Sequence, residues 1–73
     1  MMSMNLIVNG EPCSLEPTPV VPCLDNVVKA LGHNPTLVVV EHNGVIVPKG
    51  RWQSTTVERG DNLEIVTIVG GGS

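Results

Sequence analysis

Two Asn-Gly dipeptides, Asn9-Gly10 and Asn43-Gly44, each stand between short runs rich in Val, Leu and Ile. A two-residue hairpin turn needs positive φ at its central positions, and Asn followed by Gly is the strongest short signal for it. The chain is therefore expected to hold two tight antiparallel hairpins. The first joins residues 4–8 to residues 11–15; the second joins residues 37–42 to residues 45–47. Pro12 has no N–H to give to a ladder, so the strand that carries it belongs at a sheet edge.

Between the hairpins the pattern changes. Glu16-Pro17-Thr18-Pro19-Val20-Val21-Pro22 carries three prolines, which exclude a helix and favour an extended loop. Over residues 23–31, Leu24, Val27, Val28 and Leu31 recur at helical spacing and form one apolar stripe. Asp25 near the start and Lys29 near the end suit the helix dipole. Gly32 supplies a stop and Asn34-Pro35 closes the exit. Cys23 is a poor N-cap. A helix this short does not hold by itself and must dock on a sheet.

After the second hairpin, Pro48-Lys49-Gly50 ends the strand. Residues 51–53 read as a short connection, residues 54–57 as a brief extended piece and Gly60-Asp61-Asn62 as a turn. Residues 63–69 are the last strand. The order hairpin, helix, hairpin, strand predicts an α+β domain, with one helix across a sheet of four or five strands. The first and last strands belong at its centre. If Glu64 faces water, alternation points Leu63 and Ile65 inward and Val66 and Ile68 outward. Val39, beside an outward Glu41, joins them. An apolar surface opposite the helix is expected to bind a partner.

The last strand runs into Gly70-Gly71-Gly72-Ser73. Successive glycines pack no core and cost entropy to order. The expected organisation is a domain over residues 1–69 and a thin glycine tail over residues 70–73. Four extended residues reach roughly 13 Å, far enough to enter another protein's active site. Glycine has no Cβ to obstruct a narrow channel, so the tail suits a carrier whose working group is a terminal carboxyl. The plain alternative is a frayed end.

Composition narrows the choice. Seventy-three residues make one small domain, too little protein to enclose an elaborate active site. The formal charge is −3, with four Lys and Arg and a single aromatic, Trp52, so nucleic-acid binding is not expected. No apolar run approaches the roughly 18–20 residues that span a bilayer, and no secretory signal is visible, so a cytoplasmic protein is expected. Cys13 and Cys23 then read as free thiols rather than a disulfide. Neither His33 nor His42 has a ligand partner at metal-binding spacing, so no metal site is expected. Asp25, Glu58, Asp61 and Glu64 read as solvated charges and Trp52 as core, while Lys49 and Arg51 suit the steering of an acidic partner.

Taken together, the stretch Val-Val-Val-Glu-His-Asn-Gly-Val-Ile-Val-Pro-Lys-Gly-Arg-Trp (residues 38–52) and Gly60-Asp61-Asn62-Leu63-Glu64-Ile65-Val66 leading to the glycines resemble the ThiS family. These are sulfur carriers of thiamine biosynthesis with a ubiquitin-like β-grasp fold. The resemblance covers nearly the whole chain. It implies that a C-terminal glycine is adenylated by an ATP-using, E1-like adenylyltransferase and converted to a thiocarboxylate with sulfur from a desulfurase system. Thiazole synthase then receives the sulfur. It also implies that this chain binds no cofactor of its own, ATP being used by the partner. The family's active form ends in Gly-Gly, whereas Ser73 follows Gly72 here. The expected acceptor is Gly72 after a peptidase removes Ser73, or Gly71 after longer trimming, with Gly70 part of the partner-binding surface. The small subunit of molybdopterin synthase, a ubiquitin-like modifier and a regulatory domain with an idle tail are the rival readings.

Because the reactive group is expected to be a backbone terminus, replacing Cys13 and Cys23 together by Ser should leave sulfur loading intact, read by intact mass. Loss of loading in soluble, folded protein would instead place the sulfur on a side-chain thiol.

Overall fold

The computed structural model describes residues 3–68. Its elements are β1 (Met4–Val8), β2 (Glu11–Leu15), α1 (Leu24–Ala30), β3 (Val38–His42), β4 (Val45–Ile46) and β5 (Asn62–Thr67). Short 3₁₀ helices occupy Pro35–Leu37 and Lys49–Ser54. The strands form one mixed sheet in the order β2-β1-β5-β3-β4, with β1 and β5 parallel and the other pairs antiparallel. β5 is the middle strand and β1 its neighbour, as the sequence leads one to expect, and Pro12 lies on the edge strand β2.

Both hairpins form at the Asn-Gly pairs. Asn9 and Asn43 each have φ 52, followed by Gly10 at φ 82 and Gly44 at φ 87, the positive values such a turn demands. α1 ends in a Schellman closure: Gly32, at φ 91, donates its N–H to the Lys29 carbonyl and His33 donates to the Val28 carbonyl. At the other end Cys23 gives no side-chain cap. The exposed backbone finds partners elsewhere: Leu24 N–H donates to the Thr55 carbonyl and Val57 N–H to the Pro22 carbonyl, both at 2.8 Å. The brief extended piece over residues 54–57 thus anchors the helix start, and Cys23 pairs with Thr56 in an isolated antiparallel bridge.

Several boundaries differ from the sequence reading, among them the helix, which spans Leu24–Ala30 with Cys23 and Leu31 as its caps. Leu37 lies in the 3₁₀ turn rather than in β3, because the Asn34 side chain accepts the Thr36 N–H at 3.0 Å and closes a local turn. β4 stops at Ile46, although Val47 N–H still reaches the Val40 carbonyl at 3.1 Å, since Pro48 follows. The connection around Arg51 is a 3₁₀ helix, which turns Trp52 inward. β5 begins at Asn62, which was expected in a turn, and ends at Thr67, so Ile68 lies past its end; the expected end at Val69 lies outside the described residues.

One face of the sheet carries the core. Leu6, Leu15, Val38, Val40, Leu63 and Ile65 meet Leu24, Val27 and Val28 of the helix, with Val57 and Trp52 closing the side. Trp52 is core, as expected, and its indole N–H donates to the Val47 carbonyl at 2.8 Å, so its polar atom is satisfied. Cys23 is buried, Cys13 is half-buried, and both are free thiols.

A contact not foreseen from sequence joins the first turn to the central strand. β1 pairs with β5 through Ile7 and Val8 only. Where β1 turns away, the Asn9 side-chain amide takes over: it accepts the Ile65 N–H at 2.7 Å and donates to the Ile65 carbonyl at 3.2 Å. Asn9→Gly keeps the turn conformation and removes both bonds, so it should destabilise the fold by about 2 kcal/mol, measured by urea unfolding. An unchanged midpoint would show that water replaces the amide at no cost.

Candidate functional site

Among the described residues, no helix lies over the sheet face opposite α1. Val39 and Val66 are direct cross-strand partners there, and Val66 is 60% exposed. Ile68, 49% exposed, extends the row, and its N–H donates to the Leu37 carbonyl at 2.6 Å. The outward orientation expected for Val39, Val66 and Ile68 is therefore what the structure has. Ile46 pairs with Glu41 and so shares their face, and Leu37 is exposed beside Ile68. These last two were not singled out from sequence. The two-residue turn at Asn43-Gly44 fixes which residues stand opposite each other, so Ile46 was in principle readable from the hairpin register.

The same face holds Glu41 directly opposite Glu64. Like charges so placed repel. The ion pairs among the described residues are Lys29 with Asp25 and His42 with Asp61, so neither glutamate is neutralised by a cation there. The face thus reads as an apolar band with a pair of carboxylates bordered by Ile46 on one side and by Val39 and Val66 on another.

A second cluster lies at the end of the sheet beside the second turn. His42 Nε2 stands 2.7 Å from an Asp61 carboxylate oxygen, with both side chains largely shielded from water. The same oxygen accepts the Glu58 N–H at 2.8 Å, and Asn43 Oδ1 accepts the Asn62 N–H at 2.8 Å. This corrects the reading of Asp61 as a solvated charge and gives His42 an acidic partner that its sequence neighbourhood did not show. Sequence spacing hid the pair because the two residues are nineteen apart and meet only when β3 pairs with β5. Burial pushes the Asp61 carboxyl up, but the Glu58 N–H, the His42 ring and the Asn43 amide outweigh it and hold it below the usual value. The cluster ties two turns together, which is a structural task. Among the described residues no group of three or more His, Cys, Asp or Glu stands ready to hold a metal.

Lys49 lies 5.9 Å from the Trp52 ring centre. Gly70, Gly71, Gly72 and Ser73, on which the terminal chemistry was expected, lie outside the described residues. No helix among the described residues is long and apolar enough to cross a membrane.

With this geometry in hand, comparison with known proteins is decisive. The ThiS family model matches residues 6–72. The chain belongs to the ThiS family. Its residues 38–52 and its last strand, which carried the resemblance, both fall within the match. The crystal structure of the thiamine biosynthesis protein ThiS from Geobacter metallireducens superposes with a TM-score of 0.77 at 33% identity, covering 94% of this chain and all of that one. A thiazole synthase of Paramagnetospirillum magneticum is 40% identical over 70 residues, which is 96% of this chain and 21% of that protein. An uncharacterized protein, ycf40, of Pyropia yezoensis is 34% identical over 70 residues, covering 96% of this chain and 94% of that one. This chain spans about a fifth of the length of the thiazole synthases it matches. As a member of the ThiS family it has the ubiquitin-like β-grasp, and the mixed five-stranded sheet with one helix is that fold.

The Asp61 cluster has a consequence for stability. A carboxyl whose folded pKa is depressed contributes stability that is present above its unfolded value and lost as the pH falls through the folded one. Unfolding midpoints should therefore decline below about pH 4, and Asp61→Asn should lower the midpoint at pH 7 while flattening that decline. A variant with the same acid-side slope as the parent would show that Asp61 gains nothing from its partners.

Proposed function

We propose that this protein carries sulfur on its C-terminal glycine for assembly of the thiazole ring of thiamine, as a co-substrate of other enzymes. The family match is the observation that carries this reading, because it extends through Gly72 and so includes the glycine segment. The match to thiazole synthases supports thiazole synthase as the acceptor of the sulfur.

Elementary chemistry explains the division of labour. A C-terminal carboxylate has a pKa of about 3.3–3.7 and is ionised at neutral pH, so it is a poor electrophile. In the proposed route the carboxylate oxygen of Gly72, exposed after a peptidase removes Ser73, attacks the α-phosphorus of ATP on the E1-like adenylyltransferase. Pyrophosphate leaves and a mixed anhydride remains. Hydrosulfide released from a desulfurase system then attacks the acyl carbon, AMP departs with one carboxyl oxygen, and loss of the S–H proton leaves a thiocarboxylate. Glycine at this position presents no side chain to the incoming group. Trimming to Gly71 gives the same chemistry on a shorter arm. ATP and its metal belong to the adenylating partner, and the reading places the protein in the cytoplasm with these enzymes.

Within this scheme Val39, Val66 and Ile68 form the surface that seats the body of the protein on its partners, and Gly70 begins the segment that enters their active sites. An exposed apolar band on the strand that leads to the glycines suits this role.

The test is intact mass of protein ending at Gly72, Ser73 having been removed, after incubation with the adenylating enzyme, ATP and a sulfur source. A gain equal to the difference between sulfur and oxygen is expected. Isopeptide linkage to lysines, or an unaltered mass with every component active, would overturn the proposal.

A further inference from the structure

On the proposed reading that the bare sheet face docks on thiazole synthase, we infer that the partner presents an arginine whose guanidinium bridges Glu41 and Glu64. The partner's apolar side chains cover Val39, Val66 and Ile46 around it.

The first reason is the arrangement of charge. Glu41 and Glu64 are register partners on β3 and β5, and directly opposed residues hold their Cβ atoms about 4.5–5.5 Å apart. Both side chains leave the sheet on the side away from the core, since Val40 and Ile65, their neighbours in sequence, are buried at 0% and 5% exposure. No described cation pairs with them. Lys29 is held by Asp25, and Lys49 lies over the Trp52 ring. In the free protein the two carboxylates repel through water. Once docking excludes that water the repulsion grows, unless a cation enters between them.

The second reason is the setting. The pair sits inside an apolar frame: Ile46, the cross-strand partner of Glu41, is 62% exposed, and Val39 opposite Val66 is the next outward pair along the same two strands. Burying that frame without matching the charges would desolvate two carboxylates with nothing to bind them. A complementary surface must therefore be apolar and basic at once. A guanidinium fits better than an ammonium. Its planar fork can donate to two separate carboxylates, it is more weakly hydrated, and its flat faces tolerate aliphatic neighbours.

The third reason selects the occupant. Proteins named thiazole synthase contain a segment 40% and 32% identical to nearly the whole of this chain, within a much longer polypeptide. A domain joined to its partner in one chain works at high effective concentration. That arrangement points to thiazole synthase as the surface against which this fold is built to sit.

The experiment measures binding of full-length protein to the thiazole synthase of the same organism by calorimetry, over a series of salt concentrations. Three proteins are compared: the parent, the Glu41→Gln/Glu64→Gln double variant, and Val66→Asp. Thermal unfolding of each is followed in parallel. The double variant should bind at least tenfold more weakly and lose most of the salt dependence. It should also unfold at the same temperature as the parent or higher, because the intramolecular repulsion is gone. A merely structural role for the pair would move stability and binding in the same direction. If the double variant binds within threefold of the parent while Val66→Asp binds at least tenfold more weakly, the bridging arginine is wrong and the docking face stands. If Val66→Asp, still folded, also binds within threefold, the docking face itself is wrong.

Discussion

Everything in this molecule turns on the position of β5 between two neighbours. It runs parallel to β1 on one side and antiparallel to β3 on the other, and its Leu63 and Ile65 are almost fully buried. A slip by a single residue would exchange the two faces, putting Glu64 in the core and Leu63 in water. The register is held at several places along the strand. The Asn9 amide grips Ile65, and the Ile68–Leu37 bond fixes the far end of the β3 pairing. Which side chains stand on the uncovered face is therefore decided by the same contacts that make the core.

The architecture was legible because its punctuation is strong. Asn-Gly at residues 9 and 43 permits few conformations other than the turn it makes, and the stripe Leu24, Val27, Val28, Leu31 has one face to bury. Less was legible where local and long-range demands compete. Leu37 reads as strand from its apolar neighbours, yet the Asn34 side chain captures the Thr36 N–H first. Residues 49–54 carry no strong helical pattern, and only the burial of Trp52 accounts for their 3₁₀ course. The second role of Asn9 was invisible for a related reason: a residue placed by turn chemistry alone says nothing about what its side chain reaches across the sheet.

The candidate site divides along the same line. Val39, Val66 and Ile68 follow from alternation once Glu64 is assigned to water. The Glu41–Glu64 opposition and the contribution of Ile46 require the pairing of β3 with both its neighbours, a long-range fact. The His42–Asp61 pair is likewise a product of topology. The family, by contrast, was recognisable from the chain itself, because residues 38–52 and the glycine-ended last strand act jointly as a signature. The helix closes one side of the sheet and, among the described residues, leaves the other uncovered, which is the surface the proposed docking uses.

Both lateral margins of the sheet are poor templates for further growth. On one side Pro12 interrupts the row of donors on β2, and on the other β4 is only two residues long before Pro48 follows. Short or proline-bearing margins discourage strands of neighbouring molecules from adding on and polymerising. A small protein with an uncovered apolar sheet would otherwise be an aggregation hazard at high abundance. Blunting its rims confines self-association pressure to the broad surface, where shape and charge can discriminate between a proper mate and another copy.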